Sequence, residues 1–232
     1  MRRRILQVTT SALVGLAVVA AIVWLTPPPM SEMEWDGASA PPSPYPAPGL
    51  ELPGLDGEPV NLASFRGRTT VVFFGFSNCP DVCPSTLLSL TRVLDDLSPR
   101  QADRLRVVFV TVDPERDTPE RLEEWMANFH PSIVTLRGTE EEVLETAREW
   151  GVHVARAPTR TGNDDPHAHM DHGDPSLSPE VQAAVPAGAP GAYGVDHSAR
   201  SFVIDRAGRV VLLLAPFQSS ESMGRDLRRV LR

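Results

Sequence analysis

Lysine is absent from this chain of 232 residues, so all 22 of its basic residues are arginine. This absence excludes mechanisms that need a lysine, such as Schiff-base chemistry and the phosphate-binding loop of Walker-type nucleotide hydrolases. Acidic residues outnumber basic residues by 30 to 22, so the net charge is −8. We do not expect the chain to bind nucleic acid, which requires a basic face that neutralises phosphates.

Cysteine is nearly absent as well. The chain has two cysteines, Cys79 and Cys83, too few for the disulfide framework of a small secreted domain. A pair at a spacing of four indicates a redox or a metal site instead. The length is sufficient for one domain of ordinary size with an additional segment.

The amino-terminal segment predicts a single membrane span. Residues 5–25 carry no charge, and at about 1.5 Å per residue they are long enough to cross roughly 30 Å of hydrocarbon. Arginines 2–4 precede them and should hold the amino terminus in the cytoplasm. A cleaved signal peptide is the alternative, but no small-x-small site follows directly.

The rest of the chain is therefore expected on the extracytoplasmic, periplasmic side of the cell membrane. We predict an uncleaved anchor over residues 1–26. Residues 27–48, rich in proline and alanine, are expected to be a semi-rigid spacer. Residues 49–232 should then form the folded domain.

Strand and helix patterns alternate along this domain. Thr69–Phe76 and Leu105–Val112 are continuous apolar runs, typical of strands buried on both faces. The remaining predictions are a hairpin at 50–62, helices from Pro84, Pro119, Thr139 and Ser220, strands at 133–136 and 152–155, and a hairpin at 202–214. This order indicates an α/β sandwich with a largely parallel centre and an antiparallel edge. Residues 158–192 interrupt it as a long surface insertion.

The cysteine pair lies between a predicted central strand and a predicted helix. A helix amino terminus favours thiolate over thiol, and residues four apart project from the same helical face. Two such sulfurs are able to close a disulfide or to bind a soft metal, Cu(I) or Zn, and one added imidazole would suit Cu(I). Inert core cysteines and a purely structural disulfide are the alternatives, which the exported location and the short intervening loop disfavour.

His197 is the best candidate for the imidazole. It lies beside Asp196 in the loop expected to enter the strand at Phe202. In a thioredoxin-type sheet that loop approaches the turn that carries the cysteines. We expect His130 and His153 to be ordinary, partly exposed residues.

Three segments together resemble the Sco/SenC family. They are FFGFSNCPDVCP at 73–84, VDPERDTP at 112–119 and VDHS at 195–198. The resemblance implies a thioredoxin-like fold, a central mixed sheet flanked by helices, behind an amino-terminal transmembrane helix. It also implies a copper chaperone of cytochrome c oxidase assembly, with Cys79, Cys83 and His197 as copper ligands. The cargo would be Cu(I), with Cu(II) left open, passed to the copper A centre of subunit II. Another extracytoplasmic copper chaperone is a further candidate partner.

Two other groups are candidate site residues. Asp113 follows a strand end, where α/β sheets build their sites, so we expect it to support the copper loop or a docking surface. A turn with a helix cap is the alternative.

The insertion departs from the family pattern, because four potential copper ligands follow one another closely in it: His167, His169, Met170 and His172. They suggest a secondary metal site, against the alternative of a solvated acidic loop.

Two enzymatic functions compete with the chaperone. A thiol-disulfide oxidoreductase of the thioredoxin type has two residues between its cysteines and a proline before the opposing strand, whereas here there are three residues and no proline between Gly191 and Phe202. A peroxiredoxin-like peroxidase has threonine three positions before its reactive cysteine, where this chain has Phe76 and Pro80. We therefore expect a metal carrier rather than an enzyme, with reductase activity as the alternative.

Overall fold

The structure is a computed structural model that describes Met30 and residues 33–158, 193–197 and 201–231. Within these residues the strands are β1 (Tyr45–Pro46), β2 (Glu51–Pro53), β3 (Pro59–Asn61), β4 (Thr69–Gly75), β5 (Leu105–Thr111), β6 (Ile133–Leu136), β7 (Val154–Pro158), β8 (Tyr193–His197), β9 (Ser201–Ile204) and β10 (Arg209–Leu214). The helices are α1 (Val82–Asp95), α2 (Pro99–Ala102), α3 (Pro119–Met126), α4 (Glu140–Glu149) and α5 (Ser220–Val230), with a 3-10 turn at Leu62–Phe65.

A mixed sheet forms the centre, in the order β1-β10-β9-β4-β5-β6. Strands β4, β5 and β6 are parallel, whereas β9 is antiparallel both to β4 and to β10. Strands β4, β5, β6 and β10 consequently all end at the same edge of the sheet. We call this the carboxyl edge, and it is where the loops after parallel strands build sites.

Helices cover the sheet and bury an aromatic core. All seven residues of β4 are buried, as the uninterrupted apolar run predicts for a central strand. Aromatic rings meet from several elements at centroid distances of 5.0–6.2 Å: Phe73, Phe74, Phe109, Trp125, Phe129, Trp150 and Phe202. Helices α1 and α5 pack against each other.

Both edges of the sheet are covered by other parts of the chain. Ser39 exchanges two backbone hydrogen bonds of 2.8 Å with Leu213 on β10, and β1 continues that pairing. On the other side, Gly54 bridges to Leu136 of β6. The predicted spacer, 27–48, therefore includes residues that pair with the folded domain.

The positions of most elements confirm the sequence predictions, with local differences. Thr118 caps α3 with Pro119 at its first position, and Thr139 forms a capping box with Glu142 at α4. His197 differs, because it is the last residue of β8 rather than part of a loop. The β7–β8 pairing forms a separate two-stranded sheet, which the patterns did not predict.

The predicted anchor, residues 5–25, lies outside the described residues. Among those that are described, no helix is both long enough and apolar enough to cross a membrane. The described residues 35–158, 193–197 and 201–231 belong to one compact unit.

Candidate metal centre

Cys79 and Cys83 lie at the carboxyl edge, immediately after β4. The amide of Cys79 donates to the carbonyl of Phe76 (3.3 Å) and closes a turn. Helix α1 begins at Val82, so Cys79 precedes the helix by three residues and Cys83 is its second residue. Cys83 is fully buried and Cys79 is 5% exposed, which leaves Cys79 as the sulfur nearer to solvent.

The two side chains are thiols rather than a disulfide, and they are hydrogen-bonded to each other. This bond from Cys83 is the largest influence on Cys79, and with help from backbone N–H groups it lowers the pKa of Cys79 from 9.0 to about 7. Burial raises the pKa of Cys83 well above 9.0, and hydrogen bonding to Cys79 and its charge add to that effect. Near neutral pH Cys79 is therefore the thiol that begins to lose its proton, while Cys83 keeps its own proton and donates the hydrogen bond.

The end of β4 makes room for the Cys83 sulfur. A Cβ added at Gly75 would lie 2.9 Å from Cys83 Sγ and 2.9 Å from Cε2 of Phe109. A glycine is needed at position 75 so that the Cys83 sulfur and the Phe109 ring are able to approach the backbone of β4 closely, and not because the backbone has a positive φ. The sulfur is thus seated against strand β4 and the Phe109 ring, which fixes its position.

Asp113 lies near the cysteine loop, but it reaches the loop indirectly. Its side chain is fully buried and forms an ion pair with Arg116. The Arg116 guanidinium lies 5.8 Å from the ring centroid of Phe76, a cation–π contact with a residue of the cysteine turn. Asp113 therefore supports the loop through Arg116 and Phe76.

Asp117 contacts the loop directly, and the sequence analysis did not select it. Its fully buried carboxylate accepts hydrogen bonds from the amide of Ser77 (3.0 and 3.2 Å) and from its hydroxyl. The Thr111 hydroxyl at the end of β5 donates to the same carboxylate. Burial raises the pKa of Asp117, against the lowering effect of these hydrogen bonds. Asp117 and Ser77 both belong to the segments that carry the family resemblance, but only the fold shows their contact.

His197 is described only through its backbone. It pairs with Val154 at the end of β8, four residues before β9 begins. Ser201, the first residue of β9, pairs with Phe73 near the carboxyl end of β4. The chain therefore carries His197 toward the edge that bears the cysteines.

The donor chemistry of this site suits a soft metal ion. Two sulfurs that are held together, one of them with a lowered pKa, favour Cu(I) or Zn. Among the described residues, no group of three or more histidine, cysteine or carboxylate side chains is arranged to hold a metal. The secondary site predicted at His167, His169, Met170 and His172 lies outside the described residues.

The sequence profile of the SCO1/SenC family matches residues 49–175, more than half of the chain. The chain belongs to the SCO1/SenC family. The match includes both cysteines and the Asp113–Asp117 segment, whereas His197 lies beyond its end.

Individual Sco proteins agree with this assignment. An SCO2-like protein of Rickettsia prowazekii is 33% identical over 160 residues, which are 69% of this chain and 64% of that protein. The chain thus spans less than two thirds of this curated relative. The solution structure of apo Sco1 from Thermus thermophilus is 34% identical, with a TM-score of 0.65 over 86% of this chain and 98% of its own.

Copper is bound in solved structures of Sco proteins. ScoI of Bradyrhizobium japonicum with copper bound is 28% identical, with a TM-score of 0.58 over 80% of this chain and 99% of its own. BsSco, which is 20% identical with a TM-score of 0.54 over 83% of this chain and 96% of its own, is a member of the Sco family of cytochrome c oxidase assembly proteins. The mixed α/β fold predicted from the sequence matches these thioredoxin-like structures, and the predicted family is confirmed.

Proposed function

We propose that this SCO1/SenC protein is a membrane-anchored copper chaperone that binds Cu(I) through Cys79, Cys83 and His197. The observation that carries the proposal is the hydrogen-bonded thiol pair, in which the pKa of Cys79 is about 7. Near neutral pH such a pair begins to supply a thiolate from Cys79, and metal binding releases the proton of Cys83 as well. The imidazole of His197 would complete a three-coordinate site of the kind that Cu(I) accepts.

The proposed acceptor is the copper A centre of cytochrome c oxidase subunit II. Residues 5–25 would anchor the protein, and the cysteine domain would face the extracytoplasmic side, where the acceptor centre lies. Another extracytoplasmic copper chaperone would be the donor or a relay. Because Cys79 is the more exposed thiol, we expect ligand exchange with the acceptor to begin there.

An anaerobic Cu(I) titration of the full chain in detergent tests the ligand set. Wild type should hold one copper against a competing chelator, and Cys79→Ala, Cys83→Ala and His197→Ala should each weaken that binding. His130→Ala is the matched control, because His130 precedes β6 at the edge opposite the cysteines. Unchanged binding in His197→Ala would remove the histidine from the proposed site.

Transfer to the apo form of the soluble subunit II domain tests the second part. The copper-loaded chain should convert that domain to its purple copper A form, and a loaded chain that retains its copper would contradict the proposed delivery.

A thiol-disulfide reductase is the second candidate, since one acidic and one buried thiol also suit disulfide exchange. The Cys79 thiolate would attack a target disulfide and release one target thiolate. Cys83 would then lose its proton and displace the second, so that the target gains two electrons and a Cys79–Cys83 disulfide forms. Reduction of the oxidised subunit II domain without copper transfer would favour this candidate.

A further inference from the structure

Asp117 contacts the cysteine loop at Ser77, two residues before Cys79. Its carboxylate is fully buried, yet it contacts three donor groups, which belong to Ser77 and Thr111. Burying a carboxylate is costly unless hydrogen bonds compensate for the lost water. A buried charge devoted to a loop amide and two hydroxyls indicates that this loop must hold one conformation.

The contacts join three strands at the carboxyl edge. The Thr111 hydroxyl ties the carboxylate to the end of β5, and Arg137, just after β6, donates to the Asp117 carbonyl at 2.7 Å. Ser77 is the only one of these residues in the segment that leads to Cys79, and Arg121 of α3 also donates to its hydroxyl at 3.3 Å. The loop is therefore fastened to rigid elements at a point two residues before the cysteine.

We infer that Asp117 is the positioning residue of the metal centre: its carboxylate holds the amide and hydroxyl of Ser77 and thereby fixes the turn that brings the Cys79 sulfur to Cys83. The inference rests on the proposed function, because the benefit of a fixed turn is a preformed pair of metal ligands. Residues that orient metal ligands typically change affinity by tenfold to a hundredfold when they are replaced.

An electrostatic role and a positioning role of Asp117 predict opposite effects of Asp117→Asn on Cu(I) affinity. The Asp117 charge disfavours the Cys83 thiolate, so its removal alone would favour deprotonation and tighten Cu(I) binding. The asparagine amide, however, has one acceptor oxygen where the carboxylate uses two, so some of these hydrogen bonds would be lost and the turn would loosen. Positioning therefore predicts weaker binding by about tenfold, whereas an electrostatic role predicts tighter binding.

Two measurements on the full chain test the inference. Amide hydrogen exchange of the metal-free protein should accelerate at least tenfold over residues 76–81 in Asp117→Asn, relative to the change over β10. Chelator competition should show the loss in Cu(I) affinity. Ser77→Ala should reproduce both effects in smaller measure, and Ser77→Thr, which keeps both donors, should restore wild-type behaviour.

Thr146→Val is the control, because it also removes a hydroxyl donor, but the Thr146 hydroxyl donates to the carbonyl of Glu142 within α4 and not to Asp117. It should leave loop exchange and Cu(I) affinity close to wild type. Wild-type exchange in both Asp117→Asn and Ser77→Ala, or faster exchange with unchanged or tighter Cu(I) binding, would overturn the inference. If wild type itself binds no Cu(I), the proposed function fails, and loop exchange still decides whether Asp117 holds the turn.

Discussion

Replacing Gly75 with alanine should disturb both the stability of the domain and its thiol pair. The new Cβ would lie 2.9 Å from Cys83 Sγ and from the Phe109 ring, closer than Cβ contacts normally come. Both neighbours are fully buried, so neither is able to swing into solvent. Overpacking of this kind typically costs about 1–3 kcal/mol. A loss of about 2 kcal/mol would lower Tm by roughly 4–8 °C in a domain of this size.

The metal centre should respond in the same variant. Movement of the Cys83 sulfur away from β4 would weaken its hydrogen bond to Cys79, the largest influence that lowers the Cys79 pKa. The pKa of Cys79 should therefore rise above 7, as measured by thiolate absorbance against pH. Gly49→Ala is the control, because a Cβ there meets nothing within 4 Å. A Gly75→Ala protein with wild-type Tm and an unchanged Cys79 pKa would refute this account of how the sulfur is seated.

Two further predictions concern Cys79 and Phe217. The rate of Cys79 alkylation should fall about tenfold per pH unit below pH 7. In Cys83→Ala the pH at which this rate is half-maximal should move upward, because the donor thiol is lost. Mass spectrometry of the labelled peptide measures both effects, and an unchanged half-maximal pH would mean that Cys83 does not lower the Cys79 pKa. Phe217→Gly should raise the free energy of unfolding by about 0.5–1 kcal/mol, measured by denaturant unfolding. Phe217 is 61% exposed and has a left-handed φ of 59°, which glycine adopts without strain. A lower free energy of unfolding would show that the phenylalanine ring packs against the protein.

Sequence patterns predicted the regular elements where one local rule decides the outcome. The Thr139–Glu142 capping box is confirmed because both partners lie within one helical turn, and β4 is confirmed because a buried parallel strand needs an unbroken apolar run. The β1 strand was not predicted, since Tyr45–Pro46 is too short to show a pattern and depends on a partner more than 160 residues away.

The sequence predicted that the two cysteines would lie together, and it was less informative about the residues that support them. Cys79 and Cys83 are rare residues with distinctive chemistry, so their spacing was informative. Asp117 and Ser77 are common residues separated by 40 positions, and only the parallel pairing of β4 with β5 brings them together. Asp113 was expected beside the loop, but its contact runs through Arg116 to Phe76, a geometry that spacing does not encode.

The segment that pairs along β10 bears on where the domain should be cut. The family match begins at residue 49, after Ser39 and β1, which together occupy the outer hydrogen-bonding edge of β10. A fragment that starts at residue 49 would expose that edge, which carries the apolar run from Val210 to Leu214. Open edges of this composition recruit strands from other molecules. Residues 39–46 thus cover an edge that would otherwise be open, and the folded unit extends beyond the residues that the family profile matches.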